Sequence, residues 1–347
     1  MTIAEHDRIP ETALDWARAG KGAALATVVE TWGSAPRPVG SQLAISGDSE
    51  IAGSVSGGCV EGAVVVEALE ALEDGRCRIL EFGVSDDEAF AVGLACGGRI
   101  RVMVEPVGQG RGAGQGPGQG PGQGIEPGLL DELVAARAGR RAVAVVTDTA
   151  GWSREIAGYE AAPARFDADR SGFDEADPAR FIAIHNPPLR LAVVGAVHIA
   201  RPLLVMAEAA GYDVTLIDPR EAFASEGRFP GGHLVHDWPD AALAAHGLDA
   251  RTAVVTLTHD PKLDDPALDA ALNSPVFYIG ALGSKRTHAK RVARLVEAGF
   301  GEARIARIDA PIGLDLGARS PAEIAVAILA QMTERLRQPA TRPGAMR

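Results

Sequence analysis

Short apolar runs alternate with amphipathic stretches throughout the second half of the chain. Runs of apolar and β-branched residues predict buried strands over residues 191–194, 214–218, 253–257 and 276–279. Helical spacing of apolar residues predicts helices over 199–210, 266–272 and 285–297, and a capping box at Ser320 opens one that ends near Arg335. Because buried strands that alternate with helices form parallel sheets, this half predicts a Rossmann-like, doubly wound α/β fold.

The first half mixes strands and helices in another order. Strands are predicted over residues 23–30, 43–45, 51–55, 78–82, 100–105, 141–147 and 181–184, and helices within the first 20 residues and over 62–74 and 129–138. This order predicts an α+β domain. Since Pro187 and Pro188 hold the chain extended, we expect one domain over residues 1–188 and the Rossmann-like domain over 189–347.

A glycine-rich segment interrupts the first domain. Ten of the 21 residues in 108–128 are glycine, and the segment repeats GPGQ and GQGP units. It contains almost nothing apolar to bury, so it predicts either a flexible linker or a loop insertion.

Composition and charge exclude several classes of protein. The chain carries 34 Lys and Arg against 46 Asp and Glu, a net charge of −12, so phosphate backbones repel it and nucleic acid is not an expected partner. No apolar run reaches the roughly 18 residues of a membrane span, and the first residues lack the apolar segment of a secretory signal. Three cysteines, an odd number, favour a reducing compartment, so we expect a cytoplasmic protein.

The turn after the first strand of the second domain lies where a dinucleotide fingerprint belongs. Gly195 follows the strand, His198 precedes the helix, and Asp218 ends the next strand, at the distance of a ribose-binding acid. The second glycine of the fingerprint is replaced by Val197, whose side chain we expect in the path of a pyrophosphate. The sequence therefore predicts the fold and leaves open whether NAD(P) binds or the fold is kept without its dinucleotide.

A second turn, Gly283-Ser284-Lys285, also follows a strand and opens a helix. Cations at a helix N-terminus are unfavourable unless an anion neutralises them, which predicts an anion site. Arg291 and Arg294 follow on the same helix, so a solvated charged face is the alternative.

Two of the three cysteines adjoin paired glycines. The two clusters are Gly57-Gly58-Cys59 and Cys96-Gly97-Gly98. Cys59 also precedes a helix N-terminus, which favours the thiolate that attacks or ligates. Two such thiols could hold a soft metal or carry a sulfur atom, and two small buried apolar residues are the alternative. Cys77, in a charged turn, is interpreted as incidental.

Two histidines and an aspartate are candidates for acid–base chemistry. His259 and Asp260 follow the strand at 253–257, and His198 follows the strand at 191–194, so all three are expected at the carboxyl edge of the sheet. Capping of loop amides is the alternative role. The sequence does not choose between the two.

Together these segments resemble the xanthine dehydrogenase accessory protein family, XdhC/CoxI. The matching motifs are ATVVETWGSAPRPVGSQLAI, GSVSGGCVEGAVVVEA and GLACGGRIRVMVEP in the first half, and VVGAVHIA, IDPR, THD, YIGALGSKRTHAKR and PIGLDLGARSPAEIAVAILA in the second. They keep the family's order and span most of the chain outside the glycine-rich segment and residues 152–180.

The resemblance implies a cytoplasmic accessory chaperone that binds molybdenum cofactor, protects it during sulfuration and delivers it to a molybdenum hydroxylase apoenzyme. It implies a sulfur-donating desulfurase as a second partner, and it suggests a homodimer. The family's Cys-Gly-Gly sites correspond to Cys59 and Cys96, which would contact molybdenum through the cofactor, in a mono- or dinucleotide form. Gly195, His198 and the turn at Gly283 would face the cofactor's tail.

The family's second domain is often described as an NAD(P)-dependent oxidoreductase, which implies that Asp218 and Arg220 of the IDPR motif belong to the cofactor site. The family turn usually reads Gly-Ala-Gly-His, so Val197 is a departure that weakens this alternative. A third hypothesis is a purely structural protein that binds the target enzyme and no small molecule.

Overall fold

The computed structural model describes residues 8–33, 37–83, 98–108 and 124–338. The chain divides into an N-terminal unit that ends at Pro187 and a C-terminal unit that begins at Pro188. Each unit has its own sheets and its own apolar core.

The N-terminal unit contains two antiparallel sheets. The strands of the first are β1 (Ala23–Trp32), β2 (Gln42–Ser46), β3 (Ile51–Gly53), β4 (Arg78–Phe82) and β5 (Arg99–Pro106), in the order β3-β2-β1-β5-β4. The helices of this region are α1 (Ile9–Arg18), α2 (Glu61–Asp74) and α3 (Pro127–Ala138). Helices α1 and α2 pack against this sheet, and α3 packs against α1. Helix α2 packs Val64 and Ala68 on one face of the sheet and ends at Gly75, whose φ is +72°. The predicted α+β class of this half is confirmed.

The second sheet lies in the part of the sequence where the pattern is weakest. Its strands are β6 (Val143–Asp148), β7 (Arg154–Gly158), β8 (Gly172–Phe173) and β9 (Arg180–His185), in the order β7-β6-β9-β8. A 3₁₀ turn (Tyr159–Ala161) and helix α4 (Pro163–Ala168) connect β7 to β8. The sequence pattern does not predict β7, β8 or α4, because residues 152–180 carry many charges and little periodicity.

The two ends of the glycine-rich segment are held together. The amide of Gly108 donates to the carbonyl of Ile125 at 2.7 Å, and the amide of Ile125 donates to the carbonyl of Pro106, also at 2.7 Å. Helix α3 then begins at Pro127, one residue before the predicted end of the segment at 128. Because both ends meet inside one unit, the segment is an insertion in the N-terminal unit and does not connect the two units.

The C-terminal unit is a six-stranded parallel sheet. Its strands are β10 (Arg190–Val194), β11 (Asp213–Ile217), β12 (His233–Val235), β13 (Thr252–Thr256), β14 (Tyr278–Ala281) and β15 (Ile308–Asp309). All pairs are parallel, in the order β12-β11-β10-β13-β14-β15. This is the strand order of a dinucleotide-binding Rossmann fold, which confirms the predicted fold class.

Helices cover both faces of this sheet. They are α5 (Ala200–Ala209), α6 (Pro239–His246), α7 (Pro261–Leu272), α8 (Lys285–Glu297), α9 (Glu302–Ile305) and α10 (Pro321–Arg337). The predicted capping box at Ser320 opens α10. Two predicted elements of this unit have wrong boundaries: α7 begins five residues earlier than predicted and contains Pro266, and β14 begins and ends two residues later. Among the residues that the structure describes, no helix is both long and apolar enough to cross a membrane.

Candidate functional site

The predicted site residues of the C-terminal unit lie at one edge of its sheet. Val194 pairs with Ile217 on one side and Thr256 on the other, and Thr256 pairs with Ala281, so these strands end level with one another. The order of strands reverses between β10 and β13, and ligands of open α/β sheets bind at that crevice. The loops after these strands therefore meet at the edge where the fold places ligands.

Close packing joins the turn after β10 to the loop after β13. Gly195 has φ +113°, and a Cβ atom added there would lie 2.5 Å from Cγ2 of Thr258. Two amides of the turn are already used, because Ala196 donates to Asp218 and Val197 donates to the carbonyl of Gly195. Val197 is half-buried, and its side chain packs partly against the apolar core. Only the remaining part of the side chain is exposed at the position where we expect a pyrophosphate to bind.

Asp218 is fully buried and bonded within the protein. Its Oδ2 accepts from the amide of Ala196 at 2.9 Å and from Nη2 of Arg220 at 2.7 Å, while Oδ1 accepts from the amide and Nε of Arg220. Burial alone would raise the pKa of Asp218, but these hydrogen bonds outweigh it and hold the pKa below its usual value. The guanidinium of Arg220 also lies over the ring of Phe223, with its carbon 4.3 Å from the ring centroid. Asp218 thus braces the turn after β10.

His259 and Asp260 have different local roles. Asp260 is the N-cap of α7, accepting from the amide of Lys262 at 3.0 Å, which is the capping role that the sequence left open. His259 is exposed and has φ +63°, a conformation uncommon for a residue other than glycine and often found at functional sites. His198, after β10, is exposed at the same edge.

A buried network of hydrogen bonds connects the loops that follow β13 and β14. The hydroxyl of Thr258 donates to Asp264 at 2.6 Å, and Nη2 of Arg291 lies 3.4 Å from the other oxygen of Asp264 and 2.9 Å from the carbonyl of Leu282. Burial raises the pKa of Asp264, although Thr258 and Arg291 oppose that effect. Arg291 is 2% exposed. The solvated charged face considered for α8 is therefore wrong at Arg291, which joins the loops after β13 and β14.

The turn Gly283-Ser284-Lys285 begins α8 at the same edge. Ser284 is the N-cap and accepts from the amide of Thr287 at 3.2 Å, while Lys285 is exposed. A Cβ atom added at Gly283 would lie 3.6 Å from Nδ1 of His259, so the two loops are adjacent.

Several buried polar atoms beside this edge have no partner among the described residues. They are Oγ1 of Thr256, Nε and Nη1 of Arg291 and Nδ1 of His288. Burial lowers the pKa of His288, and Arg291 lowers it further. Buried polar atoms normally find a partner in protein, water or ligand. These atoms are therefore available to hydrogen-bond a ligand or water at this edge.

In the N-terminal unit, a carboxylate organises the turn that carries Cys59. Oε1 of Glu61 accepts from the hydroxyl of Ser54 and the amides of Val55 and Ser56 at 2.8–3.2 Å, and Oε2 accepts from the amide of Gly58 at 2.9 Å and from the hydroxyl of Ser56. Burial alone would raise the pKa of Glu61, but these hydrogen bonds lower it to about 2.

Cys59 itself is accessible. It is half-buried beside the core of the first sheet, and Gly57 and Gly58 before it are exposed. A Cβ atom added at Gly58 would meet nothing within 4 Å, so the turn faces open space. Helix α2 begins at Glu61, two residues after the thiol. The turn therefore presents a reachable sulfur at a helix N-terminus.

The second predicted thiol cluster is described only in part. Cys96 and Gly97 lie outside the described residues, and Gly98 is buried immediately before β5. The pairing of Cys59 with Cys96 therefore stays a prediction. Within the described ranges, no three His, Cys, Asp or Glu side chains are grouped so as to hold a metal ion.

Cys77 is not incidental. It is buried, and Nη2 of Arg154 donates to its sulfur at 3.0 Å, while Nε of Arg154 pairs with the buried Glu105 at 2.6 Å. Burial, more than the nearby Glu105, raises the pKa of Cys77 to about 12. This thiol is structural.

Sequence reasoning missed the residues that hold the turns. They are Ser54, Ser56 and Glu61 in the N-terminal unit and Thr258, Asp264 and Arg291 in the C-terminal unit. The Ser-x-Ser before a glycine pair and a Glu at the start of a helix is a signal that could have identified the first group. The second group depends on contacts between loops, which no local pattern records.

Two family models match the chain. The model described as the XdhC and CoxI family matches residues 16–83, which contain the Cys59 turn. The model described as the XdhC Rossmann domain matches residues 191–332, which contain the six-stranded sheet and its carboxyl edge.

Similar proteins cover nearly the whole chain. The molybdenum cofactor insertion chaperone PaoD of Escherichia coli (strain K12) is 31% identical over 94% of this chain and 88% of its own length. A probable xanthine dehydrogenase subunit of Bacillus subtilis (strain 168) is 27% identical over 90% of this chain and 92% of its own length. A crystal structure titled as a xanthine dehydrogenase from Bacillus halodurans, 23% identical, covers 98% of each chain with a TM-score of 0.69, and it shows the shared fold.

The residues that the two family models match include the Cys59 turn and the turn after β10, and the match to PaoD extends over both units. The predicted resemblance is thereby confirmed: this chain belongs to the XdhC and CoxI family.

Proposed function

We propose that this protein binds molybdenum cofactor as cargo and assists its insertion into a molybdenum hydroxylase apoenzyme. The observation that carries the proposal is that one chain contains both an accessible thiol in a glycine turn and a Rossmann carboxyl edge. The chain belongs to a family with a relative that is named a molybdenum cofactor insertion chaperone. The cargo combines a pterin, a dithiolene and a phosphate-bearing tail, so it calls for both a soft ligand and an anion site.

The thiol of Cys59 supplies the soft ligand. Thiolates prefer soft metals. The carboxylate of Glu61 already accepts the amides of Ser56 and Gly58, so the turn is formed before any cargo arrives. The exposed glycines leave room beside the sulfur, and the contact of Cys59 with molybdenum or its sulfur is the role we assign to it. Cys96 is proposed as the second thiol.

The carboxyl edge of the C-terminal sheet supplies contacts for the tail. His198 and Lys285 are exposed there, and the loops that carry them begin helices α5 and α8, whose N-termini favour anions. Gly195 and Gly283 allow close approach of the backbone, and the unpartnered atoms of Thr256 and Arg291 lie below the same loops.

The partners follow from the cargo. We propose the apoenzyme of a molybdenum hydroxylase, of xanthine or carbon monoxide dehydrogenase type, as the recipient. Sulfuration of the cargo before delivery, by a sulfur-donating desulfurase, and a homodimeric state are the finer parts of the same proposal. The division into domains over 1–188 and 189–347 is part of the same proposal.

The NAD(P)-dependent oxidoreductase has less support. A ribose-binding acid must offer free oxygens, and both oxygens of Asp218 already accept from Ala196 or Arg220. The exposed part of Arg220 favours NADP over NAD in that alternative, since an arginine near this acid accommodates a 2′-phosphate. Calorimetric titration with NADH and NADPH separates the two functions, because the chaperone needs neither.

The test is retention of molybdenum. The full chain is mixed anaerobically with molybdenum cofactor, passed through gel filtration, and assayed for molybdenum per chain. We expect the wild type and Cys77→Ser to retain the metal, and Cys59→Ser and the Cys59→Ser/Cys96→Ser double variant to lose at least about tenfold in affinity, which corresponds to roughly 1.4 kcal/mol. The buried Cys77 variant is the matched control for loss of a thiol.

Retention by a folded double variant equal to that of the wild type would remove both thiols from the proposal. Failure of the wild type itself to retain molybdenum, while it still binds the apoenzyme in a pull-down, would favour the purely structural hypothesis.

A further inference from the structure

A polar cleft in the N-terminal unit is used by neither turn. Its volume is about 360 Å³, within the roughly 300–1,000 Å³ of small-molecule sites. It is lined by residues 37–42, which belong to the motif GSAPRPVGSQ, and by residues 184–186 at the end of β9. Two residues of α1, one residue of α3, Asp169 and Ser171 complete the lining. The structure therefore places residues 37–42 of this motif in the cleft wall, and the proposed function leaves them without a role.

Arg37 brings a positive charge to this cleft. None of the described residues forms a hydrogen bond or an ion pair with its guanidinium, and its Nε is buried without an acceptor. An arginine is never deprotonated in a protein, so this charge persists at all ordinary pH values. Burying part of a charge without a partner costs stability, which indicates that the residue is held for a ligand.

His185 is the second group without a partner. It lies at the end of β9, is 8% exposed, and its buried Nε2 has no hydrogen-bond partner among the described residues. Burial, with a smaller effect from Arg137, lowers the pKa of His185 to about 3, so the ring is neutral near pH 7. A neutral ring can present an N–H group at Nε2 without adding charge.

The other charged side chains of the cleft already have hydrogen-bond partners. Nε of Arg137 donates to Glu11 at 2.7 Å, and Oδ1 of Asp169 accepts from the side-chain amide of Asn186, also at 2.7 Å. The hydroxyl of Ser171 accepts from the amide of Ile184, so its own proton is available to another acceptor. The positive charge that a ligand would meet is therefore at Arg37, with neutral donors beside it.

We propose that this cleft binds a small organic oxyanion, a phosphate monoester or a carboxylate, whose charged group contacts Arg37. A guanidinium matches the two oxygens of either group, and Ser171 and His185 add neutral donors. The cleft exceeds the size of a bare ion, so the uncharged part of the ligand extends along the remaining polar walls, away from Arg37. This site goes beyond the proposed function, because it uses neither Cys59 nor the carboxyl edge.

The test is calorimetric titration of the full chain with CMP, cytidine, inorganic phosphate and propionate. We expect CMP and phosphate to bind and cytidine, which lacks the anion, to bind at least tenfold more weakly than CMP. Arg37→Gln should lower the affinity for CMP by about tenfold to a hundredfold, as expected for loss of a charged hydrogen-bonding group. Arg141→Gln removes an exposed arginine of the same unit and should leave binding unchanged.

Thermal unfolding gives a second readout. Arg37→Gln should unfold at the temperature of the wild type or above it, because it removes a charge that has no partner in the free protein. Binding of propionate without phosphate would support the site and assign it to carboxylates. No binding of CMP, phosphate or propionate at millimolar concentrations, or equal CMP binding by Arg37→Gln and the wild type, would overturn the proposal.

Discussion

Each unit contains a glycine turn that an internal carboxylate holds in shape, but the carboxylates come from different places. Glu61 lies in the first turn of the helix that its own turn opens, and its partners are three to seven residues away. Asp218 lies at the end of the neighbouring strand and reaches the amide of Ala196 from 22 residues away. The first turn is thus a local structure, whereas the second exists only because β10 and β11 pair.

This difference determines what each turn can offer a ligand. Glu61 takes up the amides of the Cys59 turn, so the sulfur is the group left for the cargo. Asp218 takes up only the amide of Ala196 there, so the amides of His198 and Ile199 have no acceptor among the described residues. A soft ligand suits the first turn, and an anion suits the second.

Loss of the Glu61 carboxylate is the change with the largest expected effect. In Glu61→Gln one oxygen becomes an NH₂ group that faces donors, so at least two of its five hydrogen bonds are lost. Charged hydrogen bonds contribute about 1.5–3 kcal/mol each, so we expect a loss of roughly 3–6 kcal/mol in the unfolding free energy of the N-terminal unit. Hydrogen–deuterium exchange of peptides from that unit measures it.

The control is Glu73→Gln, an exposed position on the same helix, which should change the unfolding free energy by less than about 0.5 kcal/mol. A Glu61→Gln variant as stable as Glu73→Gln would mean that the carboxylate does not hold the turn.

Adding a methyl group at each of the two turn glycines should destabilise the second turn more than the first, because only the second is closely packed. Gly58 and Gly195 have similar φ values, +109° and +113°, but an added Cβ meets nothing at Gly58 and lies 2.5 Å from Cγ2 of Thr258 at Gly195. We expect Gly58→Ala to cost about 1–2 kcal/mol from backbone strain alone and Gly195→Ala about 3 kcal/mol, since overpacking adds to the strain. Urea unfolding with exchange readouts for each unit measures both. Equal costs at the two positions would show that the loop of Thr258 moves freely.

The sequence predicts elements better than it predicts what supports them. Helices that end at a glycine, at Gly75 and Gly299, are predicted to within a residue or two, because those signals are local. The predicted start of α7 is too late because Pro266 is tolerated inside the helix, behind a true start at Pro261 with Asp260 as cap.

The candidate site divides in the same way. Positions that follow a strand or open a helix, such as Gly195 and Ser284, could be predicted from the order of elements alone. The buried state of Arg291 could not, because it depends on Asp264 from another helix and the carbonyl of Leu282 from another loop. A run of basic residues looks the same in sequence whether its side chains face water or a carboxylate.

Asp218→Asn should have a smaller effect than Glu61→Gln. The amide keeps one acceptor oxygen, and Arg220 is 36% exposed, so water can replace part of its lost bond. We expect a loss of about 1–2 kcal/mol in the unfolding free energy of the C-terminal unit and faster amide exchange at Ala196. Asp237→Asn, at an exposed position of the same unit, serves as the control. Slow exchange of Ala196 in the Asp218 variant would show that the turn after β10 keeps its shape without the carboxylate.

Acid should reduce the difference in unfolding free energy between the wild type and Glu61→Gln. The pKa of Glu61 is lowered from 4.5 to about 2 in the folded protein, so the unfolded chain binds the proton more readily. The contribution of the carboxylate is therefore fully present above about pH 4.5 and is lost as the pH falls toward 2. Because the glutamine does not titrate, the difference in stability should shrink across this window and stay constant from pH 5 to 7. His185 also titrates between the folded and unfolded states, but it does so in both proteins and cancels from the difference. A difference that is already shrinking between pH 7 and 5 would therefore show that the Glu61 carboxylate is not its source.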